Sequence, residues 1–206
     1  MTHYSPSESS RVFACRHWIF DLDGTLTKPV HDFAAIRAEL GVPDGIDTLS
    51  YFATLPIVDA DRRRARLHEI ESDLLTITEP ADGAIDLLAH LQGRGCRIGL
   101  LTRNSRTIAR QSLTRIGAAP FFAEDDILGR DEVIPKPAPD GILQLARRWQ
   151  ASLSQCAMVG DYLYDLQAGR AAGAATVHVD STGDFRWPDL ADLRLKTLAE
   201  LALLLP

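Results

Sequence analysis

Lysine is nearly missing from this chain: of its 22 basic residues only Lys28, Lys136 and Lys196 are lysines, and the rest are arginines. Each lysine therefore merits its own explanation. Cysteine is scarce as well. Cys15, Cys96 and Cys156 make an odd count with no Cys-x-x-Cys spacing, and each falls at the start of, or inside, a predicted strand, which reads as buried free thiols in a reducing compartment. No apolar run is long enough for a signal peptide or a membrane span, and Met1 to Ser10 is polar and serine-rich. A frayed start, a cytoplasmic location and no membrane partner are expected. Nor is there an excess of positive charge. The formal net charge is −6, and the basic residues are dispersed except for Arg62, Arg63, Arg64 and Arg66, so nucleic-acid or anionic-membrane binding gains no support. Internal repeats and low-complexity tracts are also absent.

What is present is the composition of an ordinary globule, 46% apolar and 24% charged, in 206 residues that can bury one good core plus a small satellite. The chain is organised around Trp18-Ile19-Phe20-Asp21-Leu22-Asp23-Gly24-Thr25-Leu26-Thr27. His17 to Phe20 predict a buried strand, so Asp21 leaves its carboxyl end, where open α/β sheets hold their ligands. Two carboxylates about 4 Å apart repel by roughly 4 kcal/mol at an effective dielectric near 20. A proton could offset that repulsion, but clustered hard oxygen ligands more often hold Mg²⁺. Gly24 permits a turn that a side chain would block, and Thr25 supplies a hydroxyl to lock it.

After this stretch the period changes. Val30, Phe33, Ile36 and Leu40 recur at helical spacing, and Gly41 and Pro43 stop the helix. A second short helix is predicted from Ile46 to Thr54 and a third from about Asp59 to Thr78, with Leu67, Ile70, Leu74 and Ile77 on one stripe. The expected organisation is therefore a small helical insertion, residues 29–79, bounded near Pro29 and Pro80, within a core formed by residues 1–28 and 80–206. From Ala81 onward helices and strands alternate. Strands are expected at Arg97–Leu101, near Asp126–Leu128, at Cys156–Val159, at Ala175–Val179 and near Leu193, which implies an α/β fold with a parallel sheet between layers of helices.

Three of these later segments deliver polar groups to the edge where Asp21 sits. Arg97–Leu101 runs into Thr102-Arg103-Asn104, where a hydroxyl, backbone N–H groups and a helix N-terminus make an anion site; the plainer alternative is that Thr102 and Asn104 only cap the helix from Ser105 to Ile116. Lys136 lies in Ile134-Pro135-Lys136-Pro137-Ala138-Pro139-Asp140, where prolines restrict the backbone and fix the exit direction of the side chain. Its ammonium can cancel phosphoryl charge. Cys156–Val159 runs into Gly160-Asp161-Tyr162-Leu163-Tyr164-Asp165, so Asp161 adds another anionic oxygen beside Asp21, and Asp165 opens the next helix.

Phe-Asp-Leu-Asp-Gly-Thr-Leu-Thr at 20–27 resembles the first motif of the haloacid dehalogenase superfamily of aspartate-dependent phosphohydrolases. Thr102, Lys-Pro-x-Pro at 136–139 and Gly-Asp-x-x-x-Asp at 160–165 resemble the second, third and fourth motifs, in order. The likeness runs from Ile19 to about Leu201 and is greatest to phosphoglycolate-phosphatase-like members, whose helical cap follows the first motif. That resemblance implies a Rossmann-like three-layer parallel sheet with a small α-helical cap. It also implies Mg²⁺ held by the Asp21 side chain, the Asp23 backbone carbonyl and Asp161, with Asp165 ordering a metal-bound water or Lys136. Asp21 would be the nucleophile and Asp23 the general acid/base, while Thr102, Lys136 and the backbone N–H of Arg103 would bind substrate. Tyr162 stands where serine or threonine is commoner in the superfamily. The implied activity is hydrolysis of a small phosphorylated metabolite, phosphoglycolate-like or a sugar phosphate, by a monomer or homodimer. A sugar-phosphate mutase using the same motifs and a catalytically silent binding or regulatory protein are the alternatives. Arg62 and Arg66 fall away from the Leu67/Ile70/Leu74 stripe, so a solvated face is expected of them, with a carboxylate clamp as the alternative.

Overall fold

A computed structural model of the chain describes residues 6–205. Helix α1 (Pro6–Phe13) precedes β1 (His17–Phe20), and α2 (Phe33–Glu39), α3 (Thr48–Ala53) and α4 (Ile57–Leu74) follow before the chain returns to the sheet. The remainder alternates: α5 (Ala84–Gly93), β2 (Arg97–Leu101), α6 (Arg106–Arg115), β3 (Ile127–Leu128), α7 (Asp140–Arg148), β4 (Cys156–Gly160), α8 (Leu163–Ala172), β5 (Ala175–Val179), β6 (Leu193–Leu195) and α9 (Leu198–Leu204). The six strands form one parallel sheet in the order β3-β2-β1-β4-β5-β6. β1 is central, with His17 in register with Arg97 on one side and Cys156 on the other.

The pleat of β1 divides the core in two. Trp18 and Phe20 pack on one face with α5, α6, α9 and Val12 of α1, whereas Ile19 packs on the other with Met158, α7 and α8. Because both faces are covered, the strands read as unbroken apolar runs. Each fully buried Leu, Ile or Phe contributes about 1.5–3 kcal/mol to this arrangement. Burial also corrects the frayed start expected for residues 1–10. Residues 1–5 lie outside the described residues, but Pro6–Phe13 is helical because Val12 is fully buried against the sheet and Phe13 packs beside it. Cys15 and Cys156 are buried free thiols and Cys96 is half-buried. Burial pushes Cys15 up to about 12 and Cys156 up to about 11. Among the described residues no helix is long and apolar enough to cross a membrane.

The helical segment between β1 and α5 leaves and returns at one place. Thr27 bridges Pro80, the Lys28 N–H donates to the Glu79 carbonyl at 3.0 Å, and the Ala81 N–H donates to the Leu26 carbonyl at 2.9 Å. The segment holds its own apolar cluster of Leu40, Val42, Phe52 and Leu67. Asp32 caps α2, so that helix starts three residues later than Val30, and a 3₁₀ turn at Leu75–Ile77 ends α4. Ile77 is consequently exposed instead of continuing the stripe. The arginines on α4 pair locally: Arg66 with Glu39 and Glu69, and Arg64 with Asp61, all exposed. Arg63 donates to the Leu40 carbonyl and lies over the Tyr51 ring.

Candidate active site

Parallel strands deliver their carboxyl ends to a common edge, so residues following β1, β2 and β4 meet there although far apart in sequence. The Asp21 N–H donates to the Val159 carbonyl at 2.9 Å, which extends the β1–β4 pairing by one residue and sets Asp21 beside Asp161. Carboxylate oxygens of Asp21, Asp161 and Asp165 all lie within 4.8 Å of one another. Lys136 is 2% exposed, and its ammonium sits 2.5 Å from Asp21 Oδ1 and 2.6 Å from Asp165 Oδ1. Desolvation alone would lower that lysine, but Asp165 and Asp21 outweigh it and hold it above its usual range.

One ammonium does not balance three carboxylates. Burial, then repulsion from Asp21 and Asp165, pushes Asp161 up to about 8; Asp165 rises to about 6 because burial outweighs the pull of Lys136. This surplus of buried anionic oxygen suits a small divalent cation, which takes hard oxygen ligands. Lys136 takes one oxygen from each of Asp21 and Asp165, and the Tyr162 N–H takes the other oxygen of Asp165 at 3.1 Å, which leaves Asp21 Oδ2 and the Asp161 carboxylate as the freer donors. Thr25 donates to Asp161 Oδ1 at 3.3 Å. His178 Nε2 lies 3.1 Å from the Asp161 backbone oxygen, which places its proton on that nitrogen, since a carbonyl only accepts.

Asp23 occupies a different environment. Its side chain is 18% exposed and stands apart from the acidic trio, accepting from Asn104 Nδ2 at 2.7 Å. Burial, reinforced by Asp21 and Glu71, pushes it up to about 7. His31 faces its other oxygen at 3.8 Å; burial holds that imidazole below its usual range, so it is a neutral neighbour and not an ion-pair partner. Thr102 is 2% exposed and accepts the Asn104 N–H at 3.1 Å, so Thr102, Asn104 and Asp23 form one connected path. Here the expected helix cap needs correcting. Ser105 caps α6, accepting the Ile108 N–H at 3.3 Å, and this frees the Asn104 side chain for Asp23. Adjacent Asn and Ser both suit an N-cap, and only the later start of α6 decides between them.

Arg103 turns toward the helical segment. Its guanidinium donates to the Lys136 carbonyl, pairs with Asp47 at the start of α3, and lies 4.8 Å above the Tyr164 ring. Arg130 makes a buried two-point pair with Glu71 of α4 at 2.6 and 3.1 Å and also donates to the Arg103 carbonyl at 3.3 Å. Asp47 and Glu71 carry no motif signal in the sequence, and Arg130, within the Gly-Arg-Asp-Glu run at 129–132, has no partner that the sequence identifies. Each is an unremarkable charge in a charged segment, and only the folded topology pairs them.

Two glycines permit the close approaches. A Cβ on Gly160 would fall 2.3 Å from Cβ of Asp165, and one on Gly24, where φ is +81°, would fall 2.4 Å from Asp161 Oδ2. Gly24→Ala is therefore expected to cost about 1 kcal/mol in backbone strain. It should also lower catalytic efficiency on the order of 100-fold by displacing Asp161. Urea titration together with steady-state kinetics checks both, and a variant with wild-type kinetics would show that Asp161 need not stay where it is.

The sequence matches the profile of haloacid dehalogenase-like hydrolases over residues 15–173, which include every group described above except His178. The chain belongs to this hydrolase family. It is 30% identical over 205 residues to a haloacid dehalogenase-like hydrolase domain-containing protein of Arabidopsis thaliana, covering 91% of this chain and 82% of that one. It is 29% identical over 179 residues to a phosphoglycolate phosphatase of Xanthomonas campestris, covering 77% and 80%. The crystal structure of a hydrolase from Pseudomonas syringae superposes with a TM-score of 0.73 at 23% identity, covering 93% of this chain and all of the other. The six-stranded parallel sheet with its helical layers is thus the haloacid dehalogenase-like fold.

Proposed function

We propose that this hydrolase is a Mg²⁺-dependent phosphatase that removes the phosphoryl group from a small phosphorylated metabolite. The observation that carries this reading is the gathering of Asp21, Asp161, Asp165 and Lys136 at one sheet edge, with Asp23 beside them but held separately by Asn104. Phosphoryl transfer is largely a problem of positioning and charge stabilisation. Asp21 attacks phosphorus, forming an O–P bond as the bond to the alcohol oxygen breaks, and Asp23 gives its proton to that oxygen. Water then hydrolyses the aspartyl-phosphate while Asp23 takes a proton back. Thr102, Lys136 and the Arg103 N–H hold phosphoryl oxygens. The Asp21 side chain, the Asp23 backbone carbonyl and Asp161 would hold Mg²⁺, with Asp165 fixing Lys136. When bound, the ion supplies positive charge to offset that of the phosphoryl group.

Residues 29–79 act as a cap in this reading, since Asp47 and Glu71 on that segment pair with Arg103 and Arg130 at the edge of the site and bring a second surface to it. Similarity to the Xanthomonas phosphoglycolate phosphatase supports a small phosphate monoester as substrate.

Hydrolysis of p-nitrophenyl phosphate is expected to stop in EDTA and to return on adding Mg²⁺. Beryllium fluoride with Mg²⁺, bound at about 100 times its Kd, should raise the melting temperature by roughly 5–11 °C. Turnover that survives exhaustive chelation would overturn the metal dependence. Failure to hydrolyse any of a broad panel of phosphate monoesters in Mg²⁺ would overturn the phosphatase reading itself.

A further inference from the structure

We infer that Tyr162, Tyr164 and Trp187 form an aromatic shelf beside the reacting groups, and that it receives the apolar face of a ring carried by the leaving group. This rests on the phosphatase reading and narrows it: the preferred substrates are phosphate monoesters of ring-bearing alcohols over short acyclic ones.

Tyr162 directly follows Asp161, yet 49% of it is exposed. Its ring is nonetheless fixed. It stands edge-on to Tyr164 (centroids 5.1 Å apart, 87° between planes) and to Trp187 (5.2 Å, 80°). Both flanking rings are anchored to the site. Trp187 lies 5.6 Å from the His178 ring, whose Nε2–H bonds the Asp161 carbonyl, and Tyr164 lies under the Arg103 guanidinium that pairs with Asp47. Asp47 also acts on the Tyr164 hydroxyl, which rises above its usual range, first through desolvation. The shelf therefore runs from the loop after β5 to the first turn of α8 and is tied through Arg103 to Asp47 at the start of α3, with Tyr162 exposed in the middle and one residue from a carboxylate of the acidic trio.

Such a surface has a defined use. Groups contacting the phosphoryl end are charged or hydroxylic and cannot distinguish one alcohol from another. A rigid aromatic face can, because it buries apolar ring surface while losing little side-chain entropy on binding. A two-carbon acyclic alcohol offers too little apolar surface to engage it. A serine at position 162 would supply no shelf.

The test pairs benzyl phosphate with ethyl phosphate, two monoesters of primary alcohols that differ in the ring. Binding is read separately from turnover by calorimetric titration of benzylphosphonate and ethylphosphonate in Mg²⁺. Wild-type protein is expected to favour the benzyl compound by about tenfold in Kd and in kcat/KM, mostly through KM. Tyr162→Ser and Trp187→Leu should each bring the benzyl-to-ethyl ratio toward one, and Tyr162→Phe should retain it. A wild-type phosphonate ratio near one, or a tenfold ratio that survives both Tyr162→Ser and Trp187→Leu, overturns the shelf. A phosphonate ratio that holds in wild type and falls in these variants, with neither phosphate hydrolysed, supports the shelf and overturns the phosphatase reading instead.

Discussion

Asp21→Asn is expected to lower kcat for p-nitrophenyl phosphate on the order of 10⁴-fold, because the amide cannot form the acyl-phosphate bond. It should do so without unfolding the protein. Asparagine keeps the shape of a side chain that is only 8% exposed, and Lys136 retains Asp165 at 2.6 Å. Electrostatics even favour the variant in the absence of metal. The Asp21 charge is among the causes that push Asp161 up to about 8 and Asp23 up to about 7, so deleting it relieves repulsion at both sites. In EDTA the melting temperature should therefore equal or exceed that of the wild type, while the stabilisation by beryllium fluoride disappears. Substantial residual turnover by the purified, fully folded variant would assign the nucleophile elsewhere.

Lys136→Met is the counterpart, expected to damage stability and activity together. The substitution roughly conserves volume but leaves Asp21 and Asp165 facing each other without the ammonium between them. Removing one partner of a buried ionic cluster costs about 3–5 kcal/mol, which for a chain of this size corresponds to a melting temperature lower by roughly 6–20 °C. Loss of a positive charge aimed at the phosphoryl group should further reduce kcat by about 10²–10³-fold. Lys136→Arg should not restore it, because the planar guanidinium cannot occupy a point-charge position between two carboxylates. Thermal melts in EDTA and in Mg²⁺ separate the two contributions. A variant as stable as wild type without metal would mean that the carboxylates do not depend on Lys136 for compensation.

These two predictions concern residues that could be picked out from the sequence, and the reason is physical. A strand buried on both faces must be apolar, so an abrupt change to Asp21, Thr102 or Asp161 marks where each strand meets the ligand edge. The scarcity of lysine and the flanking prolines made Lys136 conspicuous. Strand order was not legible, because β3 has only two paired residues and nothing local encodes which strand lies beside β1. The same holds for Asn104 with Asp23 and for Arg130 with Glu71. Each joins residues separated by 59 positions or more, and Asn104, Arg130 and Glu71 each also have an adequate local explanation as a cap or a surface charge. Helix α1 was missed for a related reason: a polar octapeptide is helical here because Val12 and Phe13 at its end have a core to enter.

The bridge between Thr27 and Pro80 has a consequence for how such a protein can diversify. Departure and return are hydrogen-bonded neighbours, so everything between them is a detour whose length the sheet does not sense. A tight hairpin or a much longer excursion could be spliced at that junction without shifting the register of any strand. Insertions of different shape could then be exchanged at that junction while the sheet, its carboxylates and the aromatic rings beside them keep their places.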